Sequence, residues 1–154
     1  MKTGDQILFY KSGVIGNLIG FFTKSKFSHV GTMVVLNKMM FVIEADGFSN
    51  DVKIQDFESS TKGRKYKILK LKKPLKNKRK FIKDLPKLTK FKYDFKSLFR
   101  FAITKNAKEN NDSFICSELS AYILENYHDL DINTSEITPS DFIKNGKIRK
   151  LFRF

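Results

Sequence analysis

Cysteine is nearly absent from this sequence: Cys116 is the single example in 154 residues. One thiol excludes an internal disulfide. With only two histidines, His29 and His128, too few soft ligands remain for a structural zinc site. Long apolar runs are missing as well. The longest mostly apolar stretch, Val14 to Phe22, is about half of what a bilayer-spanning helix needs. The opening Met1-Lys2-Thr3-Gly4-Asp5 leads straight into strand-like sequence without a secretory pattern. No repeat and no linker divides the chain, so the expectation is one domain over residues 1–154 in a reducing compartment, either cytoplasmic or virus- or phage-associated. Hydrophobic residues at 41% and aromatics at 14%, mostly Phe, argue against disorder.

Acidic residues are also scarce, 16 against 30 Lys and Arg, for a formal charge of +14. The imbalance is local. Between Lys62 and Lys108 there are 19 bases and two acids, Asp84 and Asp94, and the remainder is slightly acidic. Such a block suits an anionic partner, whether membrane, wall polymer or nucleic acid. It equally suits a solvated lysine-rich face. The predominance of Lys over Arg weakens bidentate phosphate recognition.

Periodicity predicts strands at Gln6–Tyr10, Val30–Leu36, Met39–Ala45, Val52–Ile54 and Lys65–Leu71. It predicts helices at 13–22, at Asn77–Phe91 with Pro86 kinking or restarting it, and at 95–103. Lys105–Asp112 reads as a polar loop. Ser113 reads as the N-cap of a helix through Asn126, Thr138-Pro139-Ser140-Asp141 as the start of a short helix, and Lys147–Phe154 as a final strand.

Cys116 thus falls in a first helical turn, where the helix dipole favours a thiolate and free N–H groups can hold an oxyanion. A buried, inert thiol is the alternative. A base must come from elsewhere in the chain. His128, 12 positions on, would lie about 18 Å away along a continuing helix, which leaves His29 in Phe27-Ser28-His29-Val30-Gly31. If Asn37-Lys38 is a two-residue hairpin turn, Leu36 faces Met39 and Glu44 faces Gly31. Residues 29, 31, 44 and 46 then share one sheet face, and Glu44 is a diagonal neighbour of His29, roughly 7–8 Å away across the backbone. Gly31 leaves the space between them empty. Asp46 is a spare carboxylate. Tyr10, Tyr93 and Ser28 are further polar groups for the neighbourhood of such a site.

Several segments together resemble the permuted branch of the NlpC-type papain-like superfamily, the YiiX/YebB-like proteins, more distantly related to lecithin:retinol acyltransferase. They are Gly4-Asp5-Gln6-Ile7-Leu8-Phe9, Phe27-Ser28-His29-Val30-Gly31, Val42-Ile43-Glu44-Ala45, Tyr93-Asp94, Phe114-Ile115-Cys116-Ser117-Glu118-Leu119 and Ile137-Thr138-Pro139-Ser140-Asp141. Histidine precedes cysteine, as the permutation requires. The resemblance implies an α+β fold in which an antiparallel sheet carrying His29 packs against helices, one of which presents Cys116. It also implies a Cys116–His29–Glu44 triad that acts on amide or ester bonds without cofactor or metal. Peptidase or amidase action, for instance on cell-wall peptides, is the first expectation. Acyl transfer, or thioester or lipid hydrolysis, is the second, and a non-catalytic basic module for nucleic acid or anionic surfaces the third. The partner would be a peptide, amide or lipid-ester substrate.

Overall fold

Asn37 and Lys38 both take left-handed backbone, with φ of 48° and 68°, as a two-residue turn of the twist-matching kind requires. That turn fixes the register of the hairpin around which the fold is built. In the computed structural model, which describes residues 1–12, 25–47, 49–94, 113–128, 130 and 137–153, strands β2 (Phe27–Leu36) and β3 (Met39–Asp46) pair antiparallel. Leu36 lies opposite Met39, and the ladder continues to Thr32 opposite Ile43. This is the register expected from the two-residue turn. The predicted helices at 13–22 and 95–103 and the polar loop 105–112 lie outside the described residues.

Six more strands complete an eight-stranded sheet. They are β1 (Gln6–Tyr10), β4 (Asp51–Asp56), β5 (Tyr66–Leu71), β6 (Lys92–Tyr93), β7 (Ser113–Phe114) and β8 (Phe152–Arg153). Their order is β7-β6-β4-β3-β2-β1-β5-β8, antiparallel throughout except for the β6–β7 pair. The described helices are α1 (Phe57–Thr61), α2 (Lys78–Leu88), α3 (Cys116–His128), α4 (Asp141–Lys144) and α5 (Gly146–Arg149). The architecture is therefore the α+β arrangement that the sequence implies. No helix among the described residues is long and apolar enough to cross a membrane.

Strand alternation sorts the core into two layers. Leu8, Val30, Val34, Ile43 and Ala45 join Leu119, Ile123 and Leu124 of α3 in the main cluster. Ile7, Phe9, Met33 and Val42 form a smaller one, with Phe57 and Ile68 packed against it. α3 is buried on most sides, from Cys116 through Ala121 and again at Ile123, Leu124 and Tyr127.

Three expectations are corrected. Ser113 does not cap α3: it pairs with Lys92 in a parallel bridge, and the helix begins at Cys116 itself. The Glu118 carboxylate turns back to accept from the Ile115 N–H at 3.0 Å, the task a serine cap would have had. Pro86 does not restart α2, which runs through it to Leu88; so near the C-terminus a missing N–H removes only one bond of the last turn. The final segment is a helical turn, α5, and then only two strand residues. Asn145 starts that turn by accepting from the Lys147 and Ile148 N–H groups.

The hairpin tolerates no bulk at Gly31. A Cβ there would meet Val42 Cγ1 at 2.6 Å, the Ile43 carbonyl at 3.3 Å and Glu44 Cβ at 3.4 Å. Gly31→Ala should therefore lower the unfolding free energy by about 1–3 kcal/mol, the usual cost of overpacking. Urea denaturation of the two proteins checks this, and equal midpoints would contradict it.

Candidate active site

His29 reaches its position through an irregularity in β2. Phe9 pairs with His29 but Tyr10 pairs with Phe27, so Ser28 is the extra residue of a bulge, a device that re-aims a neighbouring side chain. His29 then shares a face with Gly31 and Met33, and its ring centroid lies 5.5 Å from that of Phe9.

Glu44, only 2% exposed, comes from β3 on the same face and is hydrogen-bonded through Oε2 to His29 Nε2. A buried carboxylate needs its lone pairs satisfied and its charge compensated, and two further hydrogen bonds and one ion pair do so. Gln55 Nε2 on β4 donates to Oε1 at 2.5 Å, Ser60 Oγ on α1 donates to the same oxygen at 3.2 Å, and Arg64 Nη1 stands 3.7 Å from Oε2. Arg64 is itself held in place. It donates to the Ser60 carbonyl at 3.2 Å, and its guanidinium carbon lies 3.5 Å over the Phe9 ring, so the cation covers the aromatic that packs on His29.

Cys116 is the first residue of α3 and is 6% exposed. Its sulfur is close enough to His29 to raise the proton affinity of the imidazole, chiefly through charge. Because Glu44 occupies Nε2, Nδ1 is the nitrogen left for sulfur. The imidazole keeps 17% of its surface accessible, so the pair is not sealed inside the core.

Both ends of this chain of contacts are tuned by their neighbours. For His29, burial opposes the charged form, but Cys116 and then Glu44 more than offset it, and the pKa is pushed up to about 10. For Glu44, burial again opposes charge, while His29, then Arg64 and Ser60 hold the carboxyl below its ordinary range. The structure thus favours an imidazolium hydrogen-bonded to an ionised Glu44 carboxylate at neutral pH.

The other polar residues singled out in the sequence sit as follows. Tyr93 is buried on β6 beside Cys116, and burial, then Cys116, Asp46, Glu118 and Asp94, oppose its ionisation, so the phenol keeps its proton. Asp46 forms an ion pair with Lys53 at 2.5 Å and accepts from Ser49 at 3.2 Å; Glu44, not this spare carboxylate, takes the imidazole. Tyr10 is 38% exposed, its ring 4.7 Å from that of Phe27. His128 ends α3 and is half-buried.

Gln55, Ser60 and Arg64 were not singled out in the sequence. Gln55 could have been. Strands β3 and β4 pair so that Val42 faces Gln55 and Glu44 faces Lys53, which makes Gln55 a diagonal neighbour of Glu44 by the same reasoning that linked Glu44 to His29. Ser60 and Arg64 carry no such signal, because a five-residue helix is too short to show a period.

No family model and no curated protein matches this sequence. Among solved structures, the chain is similar to YiiX of Escherichia coli O157:H7, described as a metalloprotein, with a TM-score of 0.63 and 23% identity over 82% of this chain. The match spans 66% of the YiiX chain. The shared fold is the one that the resemblance to YiiX-like proteins implies. Among the described residues of the present chain, no group of three or more His, Cys, Asp or Glu side chains is placed to hold a metal ion. The described residues do not fit such a centre.

Proton titration follows from the contacts. In an NMR titration His29 should lose its proton near pH 10, and Glu44→Gln and Cys116→Ser should each move that transition toward the ordinary 6.5. The folded value lies above the unfolded one, so the stabilisation from His29 is complete below about 6.5 and disappears as pH rises through about 10. For Glu44 the sign reverses: its contribution is present above 4.5 and lost as pH falls through the lowered folded value. A His29 transition near 6.5 in the unmutated protein would contradict this arrangement.

Proposed function

We propose that this chain is a cysteine hydrolase of the papain-like type. Cys116 is the nucleophile, His29 the general acid and base, and Glu44 the residue that orients and charges His29. The observation that supports the proposal is an imidazole hydrogen-bonded to a buried carboxylate and close enough to the Cys116 sulfur to be shifted by it. A merely structural histidine would not need to be held charged between a thiol and a carboxylate.

The chemistry follows from the positions. The sulfur attacks the carbonyl carbon of an amide or ester, forming a C–S bond while the C=O electron pair moves onto oxygen. Backbone N–H groups in the first turn of α3 lack intrahelical acceptors and, with the positive helix end, suit that oxyanion. Tyr93, which keeps its proton beside the sulfur, is a further donor nearby. The oxyanion collapses, the C–N or C–O bond breaks, and the His29 imidazolium gives its proton to the leaving amine or alcohol. Water, deprotonated by the now neutral His29, attacks the thioester, and expelled thiolate and imidazolium restore the starting state. An acceptor alcohol or amine in place of water would make the same site an acyltransferase.

Among substrates, a peptide or other amide, including cell-wall peptides, is the first choice. Lipid esters and thioesters are the second. Labelling the full chain with a peptide-like and a lipid-like carbonyl electrophile separates them. Covalent mass addition at Cys116 with one and not the other assigns the class.

With the substrate so found, Cys116→Ala should abolish turnover with the fold intact, His29→Ala should reduce it by roughly 10²–10⁴-fold, and Glu44→Gln should reduce kcat while narrowing the alkaline limb of the pH profile. Turnover that survives in Cys116→Ala would remove the proposal.

A further inference from the structure

Among the described residues, exposed bases concentrate from the end of β5 through α2. From Lys70 to Lys87 nine Lys or Arg side chains are all exposed. The structure joins to them a second basic segment about seventy residues later. Lys70 pairs with Arg153 across β5 and β8, the Lys72 N–H donates to the Leu151 carbonyl at 2.7 Å, and Arg153 donates to the Lys72 carbonyl at 3.2 Å. Between 144 and 153 lie five further exposed bases and no acid. In these two stretches the one acid is Asp84, which is half-buried and already engaged by Lys87 at 3.3 Å and the Tyr127 hydroxyl at 3.1 Å.

This charge is placed against the interest of the fold. The first turn of α2 carries Lys78, Arg79 and Lys80 and no acid, and Asn77 makes no side-chain cap there. Cations at a helix N-terminus face the positive end of its dipole, and like charges so close repel. A face chosen only for solubility has no need to put them there.

We propose that this face adsorbs on anionic phospholipid membrane. Lysine dominates it, with Arg79 the only arginine between 70 and 87, and dispersed point charges suit a diffuse anionic surface better than they suit paired phosphate recognition. The exposed large apolar side chains among the described residues are Met1, Tyr10, Met39, Met40 and Tyr66. None belongs to these two stretches, so nothing there can stack on bases or wedge into lipid. The apolar side of α2, Phe81, Leu85 and Leu88, is already buried, and it is not available to insert as an interfacial helix would. Attachment is by charge alone, and therefore reversible and salt-sensitive. It does not depend on the hydrolase reading.

The test is cosedimentation of the full chain with phosphatidylcholine vesicles, with and without about 30% phosphatidylserine, at low and high salt, beside binding to a duplex oligonucleotide. The expected result is binding only to the anionic vesicles, lost at high salt and reduced at least about tenfold in Lys78→Glu/Arg79→Glu/Lys83→Glu. Because two of these changes put acids into the first turn of α2, the variant should melt at the same or a higher temperature, so lost binding cannot be lost folding. Equal sedimentation with neutral vesicles, an unaffected variant, or duplex binding tighter than vesicle binding would each overturn the proposal, the last in favour of nucleic acid.

Discussion

The ionised Glu44 carboxylate is buried, and the surrounding structure has to compensate it. Removing a carboxylate from water costs several kcal/mol unless its oxygens are paired and hydrogen-bonded, and here four groups from four parts of the chain converge on two oxygens. His29 comes from β2, Gln55 from β4, Ser60 from α1 and Arg64 from the segment after it. Their convergence depends on the β2–β3 register. A slip of one residue would turn Glu44 to the other face, into the cluster of Leu8, Ile43 and Ala45 beneath α3. The Asn37-Lys38 turn sets the register, and the missing side chain at Gly31 lets Val42 and Glu44 close against the strand.

The same constraint explains which parts of the site were legible in the sequence. The hairpin was legible because a two-residue turn between β-rich runs leaves one register, and pairing arithmetic carries Glu44 to His29 with no knowledge of anything else. Cys116 stood out as a lone thiol near a helix start, although the start itself was misplaced. Ser113 is a favoured cap type, but strand pairing with Lys92 claims its backbone, and Glu118 takes over the capping from inside the helix. Arg64 and Ser60 were illegible because their value depends on where β4 delivers the chain. The C-terminal segment read as a strand because Ile148, Leu151 and Phe152 are apolar, yet Asn145 nucleates a turn there that periodicity does not reveal.

Charge is handled in two opposite ways within one small molecule. Around His29 every charge faces an opposite one at hydrogen-bond or ion-pair range, and the pKa values of His29 and Glu44 move apart as a result. Along α2 and the β5–β8 edge, exposed bases far outnumber acids in the sequence, with Asp84 the one acid of the two stretches. The proposed hydrolysis rests on the first pattern, and the proposed membrane attachment on the second. The fold shared with YiiX supplies the scaffold for the first and leaves the second to the composition of this chain.

The central claim is that Cys116 is held reactive by His29. Its most direct measurement is the rate of Cys116 alkylation by iodoacetamide at mildly acidic pH, about 6, where an ordinary thiol reacts slowly, in the unmutated protein and in His29→Ala. The account predicts rapid alkylation that falls by at least about tenfold when the imidazole is removed. Equal rates in the two proteins would show that the imidazole does not activate the sulfur, and would contradict it.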